Sequence, residues 1–148
     1  MLENLVKSCR IKPVLNQIES HLYFNNQRLN DFCQKLNIPL MAFHPIGETR
    51  VKKDEQHLRD DPELAKLACK LETSPVKLML RFHIERGVIP IPKSSNPKHI
   101  RENFEALSMT PLDKETMTRL MDFDCDMRFY SHKWIAKLST FYPFNDDV

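Results

Sequence analysis

Short apolar segments alternate with helical segments along this chain, and this order constrains the fold more than any other feature. Three segments have the apolar character of strands: 12–20 (KPVLNQIES), 38–47 (IPLMAFHPIG) and 88–93 (VIPIPK). Amphipathic helical patterns occupy residues 2–10, 25–37, 61–72, 74–86, 96–107 and 111–124. Strands that alternate with helices form crossover units on a parallel sheet. We therefore predict an α/β fold, with residues 1–148 as one domain.

Local chemistry predicts where three of these helices begin. Asp61, Ser74 and Asn96 are capping residues, and each is followed by a proline that suits the first helical position. Gly87 follows the end of the helix that Ser74 begins, as a glycine after a helix commonly does. The segment 38–47 is almost wholly apolar, which predicts a strand buried on both faces.

Composition excludes several classes of function. The chain has only two glycines, so it contains neither of the glycine-rich loops that cradle nucleotide phosphates. A net charge of +2 spread along the chain gives no basic surface for nucleic acid. No apolar run is long enough to span a membrane, and the start, MLENLVKSCR, lacks the apolar core of a signal peptide.

The four cysteines lie far apart and form no CxxC pair. This spacing predicts reduced thiols in a cytoplasmic protein, with neither a metal site nor a disulfide framework.

Polar residues gather where the third strand gives way to a helix, in the stretch IPIPKSSNPKHIRENF. Ligand sites in parallel α/β folds lie beyond the carboxyl ends of the strands, here at 17–21, 44–47 and 93–96. Lys93 supplies a charge, Asn96 caps the helix, and its first N–H groups favour an anion. His99, Glu102 and Asn103 share one face of that helix. The competing interpretation is ordinary helix-start chemistry beside a solvated lysine.

Four stretches of the chain resemble the aldo-keto reductase family. KPVLNQIESHLY is similar to that family's sixth-strand pattern KPxxNQxExHPY, and MAFHPIG resembles its seventh-strand A-Y-S-P-L-G. IPKSSNPKHIRENF is similar to the eighth-strand motif, and FYPFNDDV resembles the usual carboxyl terminus. The resemblance implies a partial (β/α)8 TIM barrel: the last three strand–helix units plus a C-terminal tail. It also implies reduction of small carbonyl compounds, aldehydes and ketones, with NADP(H).

The resemblance assigns the nicotinamide half of the cofactor to residues at the first two strand ends. Gln17 stands where the family bonds the nicotinamide carboxamide, and Phe43 stands where a tyrosine stacks on the ring. His44 replaces a serine near the pyrophosphate, and Ile46 follows it on the same loop. Trp134, in the tail, takes a position that borders the substrate pocket.

The phosphate and adenine half of the cofactor falls to the third strand end. Lys93 and Ser94 match the family's residues for the 2′-phosphate of NADP, and Ser95 and Asn96 follow them. The remaining predicted contacts lie on the next helix and meet adenine: His99, Glu102 and Asn103. His99 takes the place of an arginine, which should weaken the site and make it sensitive to pH.

The family's catalytic aspartate, tyrosine, lysine and histidine come from its first barrel half, so no residue here is assigned a catalytic role. Three alternatives follow. The chain is a C-terminal fragment or truncated isoform of a reductase, inactive alone. Alternatively, the chain is a non-catalytic module that either binds NADP or another anion or completes another barrel half. Or it is an active enzyme whose recorded start is too late.

Overall fold

A parallel sheet of three short strands is the centre of the fold in the computed structural model, which describes residues 2–47 and 57–130. The strands are β1 (Asn16–Glu19), β2 (Leu40–Phe43) and β3 (Ile89–Pro90), hydrogen-bonded in the order β1-β2-β3. Both strand pairs are parallel. The predicted α/β class and the parallel sheet are therefore confirmed.

All three strands are shorter than predicted, since β2 covers only Leu40–Phe43 of the segment 38–47. Proline explains the differences at β1 and β3. β1 begins at Asn16 rather than at residue 12, after a stretch that contains Pro13. β3 is only two residues long because Pro90 and Pro92 have no N–H to give to the sheet. Between these prolines, the Ile91 N–H donates to the carbonyl of Ala42 at 3.0 Å and extends the pairing by one residue.

The described residues form six α-helices: α1 (Leu2–Ser8), α2 (Gln27–Lys35), α3 (Pro62–Lys70), α4 (Pro75–Glu85), α5 (Pro97–Glu105) and α6 (Lys114–Met121). The three predicted caps are present, since the side chains of Asp61, Ser74 and Asn96 accept hydrogen bonds from backbone N–H groups of α3, α4 and α5. Gly87 adopts a φ of 69° after α4, a conformation that a side chain would strain. Short 3₁₀ turns lie at Leu58–Asp60 and Ala106–Ser108.

Two apolar clusters form the core of the described part of the chain. The larger joins α3, α4 and α6 through residues such as Leu64, Phe82 and Leu120. The smaller lies behind the sheet, where Cys33 of α2 meets the β2 residues Leu40 and Ala42.

The prediction that β2 is buried on both faces was wrong. Leu40 and Ala42 are buried against α2, whereas Met41 and Phe43, which point to the opposite face, are half-buried. On the first face α2 packs against the strands, and on the second Tyr130 contacts Phe43. Within residues 2–47 and 57–130 the second face is partly open, since Gln17 is exposed on it.

Arg86, which follows α4, is fastened to α2 by bonds in both directions. Its carbonyl accepts from the side-chain amides of Asn30 and Gln34, at 3.1 and 2.9 Å. Its guanidinium donates to the Gln27 side chain and to the Asn25 carbonyl, and it lies 4.7 Å from the centre of the Phe82 ring. Burial lowers the pKa of Arg86 to about 10, so the side chain still carries its charge. We call this set of bonds the Arg86 clamp.

In the part of the chain that the structure describes, the helices are too short or too polar to cross a bilayer. The same part contains no group of three or more His, Cys, Asp or Glu side chains arranged to hold a metal ion.

Candidate functional site

The two residues predicted to meet nicotinamide lie on the partly open face of the sheet. Gln17 is beside Met41 in the register, and its side-chain nitrogen is 3.6 Å from the Met41 sulfur. Phe43 is beside Glu19, two residues further along the same strands. Because alternate residues of neighbouring parallel strands share a face, Gln17 and Phe43 can reach the same ligand.

His44 begins a tight turn at the end of β2. Its φ of 49° is a left-handed conformation that histidine adopts more readily than most residues, and its carbonyl accepts from the Gly47 N–H at 2.9 Å. The His44 ring stacks on Tyr130, with 4.4 Å between ring centres and 26° between planes. The side chain of Ile46, also predicted to contact the cofactor, packs against the larger apolar cluster.

A buried carboxylate lies beside Phe43, at the end of β1. Glu19 Oε1 is 3.2 Å from His21 Nε2 and accepts the Phe129 N–H at 2.7 Å, while its Oε2 accepts the Tyr130 N–H at 3.0 Å. Burial alone would raise the pKa of Glu19, but the hydrogen bonds from His21 and from the two backbone N–H groups outweigh it and lower the pKa. Glu19 is therefore a fixed anion that holds the backbone of the C-terminal segment.

The C-terminal segment 124–130, which we call the strap, crosses this end of the sheet. The N–H groups of Cys125 and Met127 both donate to the Tyr23 carbonyl, at 3.2 and 2.9 Å. The Arg128 guanidinium lies 4.4 Å from the centre of the Phe24 ring, and the Phe129 ring lies 4.8 Å from that of His21. The strap is thus bound along its length to the loop between β1 and α2.

Glu19 and Tyr130 were not among the site residues predicted from the sequence. A signal for Glu19 was available, because an acidic residue near the end of a strand in a parallel sheet requires a partner when the sheet buries it. Tyr130 carried no such signal, since its contact with His44 joins two distant parts of the chain.

The loop predicted to hold the 2′-phosphate lies between β3 and α5. Lys93, Ser95 and Asn96 are exposed and Ser94 is half-buried. The Ser94 hydroxyl accepts the Asn96 N–H at 3.1 Å, and the Asn96 side-chain oxygen accepts the Lys98 N–H at 2.9 Å. The loop is therefore ordered by its own bonds, while the Lys93 ammonium extends into solvent beside the start of α5.

The three residues predicted to meet adenine lie in different environments on α5. His99 is exposed, and Asn103, one turn further, is half-buried. The Glu102 carboxylate accepts a hydrogen bond from the Ser74 hydroxyl at the start of α4, so it is directed towards that helix. A shallow groove of about 240 Å³ runs beside Glu102, lined by Pro97, Lys98, Arg101, Glu102 and Glu105. Trp134, the predicted substrate contact, lies outside the described residues.

Comparison with known proteins identifies the family. The sequence model of the Aldo/keto reductase family matches residues 1–124. The chain belongs to the aldo/keto reductase family. It is 35% identical over 139 residues to aldo-keto reductase family 1 member C23 of Equus caballus, a match of 92% of this chain and 42% of that relative. With family 1 member C3 of Homo sapiens it is 33% identical over 142 residues, 93% of this chain and 43% of the relative.

A third relative, family 1 member D1 of Oryctolagus cuniculus, is 36% identical over 140 residues, which are 92% of this chain and 42% of that protein. The chain thus spans less than half the length of the curated aldo-keto reductases it matches. The family resemblance drawn from the four sequence stretches is confirmed, and membership of an oxidoreductase family with it.

Proposed function

We propose that this chain is the C-terminal, cofactor-binding part of an NADP(H)-dependent aldo-keto reductase, formed by the last three strand–helix units and tail of a (β/α)8 barrel. Three parallel strands in sequential order, each followed by a helix, are what such a piece would contain. The relatives, which extend well beyond the matched region, support the assignment to a longer barrel.

The observation that carries this proposal is the Lys93–Asn96 loop. It places an exposed ammonium next to the capped start of a nine-residue helix, at the carboxyl side of the sheet. A phosphate monoester there would meet both the lysine charge and the positive end of the helix dipole. Gln17 and Phe43, on the open sheet face, would contact the nicotinamide end. The half-exposed Phe43 ring can stack as the family's tyrosine does.

Carbonyl reduction also needs a proton donor of suitable pKa within hydrogen-bond reach of the substrate. The resemblance assigns this donor and its partners to strands that precede the matched region, so this chain would supply cofactor contacts and not acid–base catalysis. We place the protein in the cytoplasm, acting on a small aldehyde or ketone when the rest of a barrel is present.

Cofactor titration of matched lysine variants tests the proposal. NADPH should bind more tightly than NADH, because only NADPH carries the 2′-phosphate that Lys93 would meet. A charge-assisted hydrogen bond contributes roughly 1.5–3 kcal/mol, so Lys93→Ala should weaken NADPH binding by about tenfold or more. Lys98→Ala is the control, since it removes another exposed lysine, the residue after Pro97. Equal affinity of the parent chain for both cofactors would contradict the proposal.

A second candidate function is a non-catalytic module that binds an anion or completes a separate barrel half. The open sheet face favours this alternative, since Ile89 and Ile91 are 43% and 39% exposed on β3 and the residue after it. Apolar residues one helical turn apart on and after α5 are also exposed: Ile100, Phe104 and Leu107. Apolar surface of this extent favours association.

Sedimentation analysis of the purified chain tests this second candidate. We expect oligomers that dissociate when a polypeptide carrying the complementary strands is added, because that partner would cover the open sheet face and the free edges. A monodisperse monomer that melts cooperatively and ignores the added half would contradict it.

A further inference from the structure

We propose that the strap closes the nicotinamide end of this cofactor site, with the stacked rings of His44 and Tyr130 filling space beside Phe43 that a nicotinamide ring needs. The inference rests on the function proposed above and adds a regulation to it. In the closed state the chain binds the phosphate and adenosine half of the dinucleotide, and the nicotinamide half enters only when the strap moves.

The aromatic rings at the end of β2 are fully engaged with each other. His44 and Tyr130 stack at 4.4 Å, and each meets Phe43 nearly at right angles, with ring centres 5.6 Å apart for His44 and 5.9 Å apart for Tyr130. Edge-to-face and offset stacked pairs are the favoured aromatic geometries. A ring that enters to stack on Phe43 must therefore compete with contacts that are already made.

The strap is held closed by bonds along its backbone. Two N–H groups, of Cys125 and Met127, bond the Tyr23 carbonyl, and the Asn25 N–H donates to the Asp124 carboxylate at 3.4 Å. The next two, of Phe129 and Tyr130, bond the Glu19 carboxylate, whose residue is 3% exposed. Glu19 does not reach the ligand space itself. It is a positioning residue that fixes the backbone from which the Tyr130 ring projects.

The closing residue at the end of β2, His44, is also one of the positions at which this chain differs from the family pattern. A serine at position 44 would offer no ring for Tyr130 to stack on. His44 supplies that ring, and its left-handed backbone is stabilised by the hydrogen bond from Gly47. The stacked pair is thus built from both sides of the site, by the turn after β2 and by the strap.

The phosphate end of the site is independent of the strap. The Ser94, Asn96 and Lys98 groups bond within the β3–α5 loop. A ligand without a nicotinamide ring, such as adenosine 2′,5′-bisphosphate, should therefore bind with the strap closed. The ratio of affinities for NADPH and for this fragment then reports the state of the strap.

Calorimetric titration of the full 148-residue chain with the two ligands tests the inference. Tyr130→Ala should tighten NADPH binding by about tenfold, the change expected if the strap is closed roughly nine-tenths of the time. Binding of adenosine 2′,5′-bisphosphate should change by less than about twofold in the same variant, because its site does not include Tyr130. Tyr130→Phe keeps the ring and should behave as the parent chain.

Glu19→Gln provides a second, independent variant, because it weakens the anchor and leaves all three rings in place. It should raise the NADPH affinity in the same direction, and hydrogen exchange should show faster exchange of the Phe129 and Tyr130 amides. NADPH added to the parent chain should also accelerate exchange of these amides, whereas the fragment should not.

The outcomes separate the two proposals. If the fragment binds but Tyr130→Ala leaves the affinity ratio unchanged, the strap inference is overturned and the cofactor site stands. If neither ligand binds the parent chain or Tyr130→Ala, the cofactor site itself is wrong and the strap inference falls with it.

Discussion

Two regions at the same edge of the sheet contain charged or polar side chains, but in one they bond within the fold and in the other they face solvent. In one, Glu19, His21 and His44 lie at the ends of β1 and β2 under the strap; we call this the closed corner. In the other, the Lys93–Asn96 loop follows β3 and faces solvent. Both contain charged or polar side chains beyond the carboxyl ends of parallel strands, where ligand sites are expected.

The difference shows that position at this edge does not by itself assign a ligand. Glu19 has its hydrogen bonds supplied by His21, Phe129 and Tyr130, so the fold uses its charge. Lys93 is exposed, so its charge can meet an incoming anion. Changes at the closed corner should therefore alter stability, whereas changes at the exposed region should alter ligand binding.

The largest expected effect is a loss of unfolding free energy in acid, caused by a buried histidine next to the closed corner. His83 is fully buried beneath it and donates from Nε2 to the Pro45 carbonyl at 3.3 Å. Burial, with the nearby Arg86 charge, lowers its pKa from 6.5 to about 3. Because the unfolded chain binds this proton and the folded chain does not, stability is highest above pH 6.5 and falls on acidification, by about 1.4 kcal/mol per pH unit down to the folded pKa.

Denaturant unfolding between pH 7 and 4 measures this slope. His83→Gln keeps a donor for the Pro45 carbonyl but cannot titrate, so it should flatten the pH profile. Glu19 adds a separate loss only below about pH 4.5, since its folded pKa is lowered from that value. An equal slope in the parent chain and in His83→Gln would contradict the assignment.

Removal of the Glu19 carboxylate should be the next largest effect. Glu19→Ala leaves two backbone N–H groups and His21 without an acceptor, which should cost about 3 kcal/mol of unfolding free energy. The control Glu63→Ala removes an exposed ion pair with Lys66 and should change stability by less than about 0.5 kcal/mol. Similar losses in both variants would show that the corner is not closed as described.

The smallest expected effect concerns the solvent-exposed region, at His99 on the helix that follows the Lys93–Asn96 loop. His99→Arg adds a fixed charge with paired donors to the exposed face of α5, so NADPH binding should strengthen by about fivefold, roughly 1 kcal/mol. His99→Lys adds the charge without the paired geometry and should give a smaller gain. Fluorescence titration distinguishes them, and unchanged affinity in both would remove His99 from the site.

The features predicted correctly from sequence are those set by local chemistry. Asp61, Ser74 and Asn96 cap their helices because a side chain only needs to reach a backbone group two or three residues away. The short β3 follows from Pro90 and Pro92, which limit the pairing of VIPIPK despite its apolar character.

The closed corner could not be predicted because it depends on distant contacts. The bond from the Phe129 N–H to Glu19 joins residues 110 positions apart. Similarly, the burial of the second face of β2 depends on what packs opposite the sheet. The wholly apolar sequence LMAF carries no information about that. The position of Lys93–Asn96 between a strand and the capped start of a helix was predicted correctly, while the role of this loop in binding stays a prediction.

The Arg86 clamp has a consequence for the order of folding. The bonds from Asn30 and Gln34 to the Arg86 carbonyl span 56 and 52 residues, so forming them closes a long loop at an entropic cost. The chain leaving α4 is fixed by these bonds only when α2 has docked, and β3, which precedes the Lys93–Asn96 loop, starts three residues later. We therefore expect the loop that would recognise the cofactor to be among the last parts of the chain to acquire its structure, after the helices have assembled.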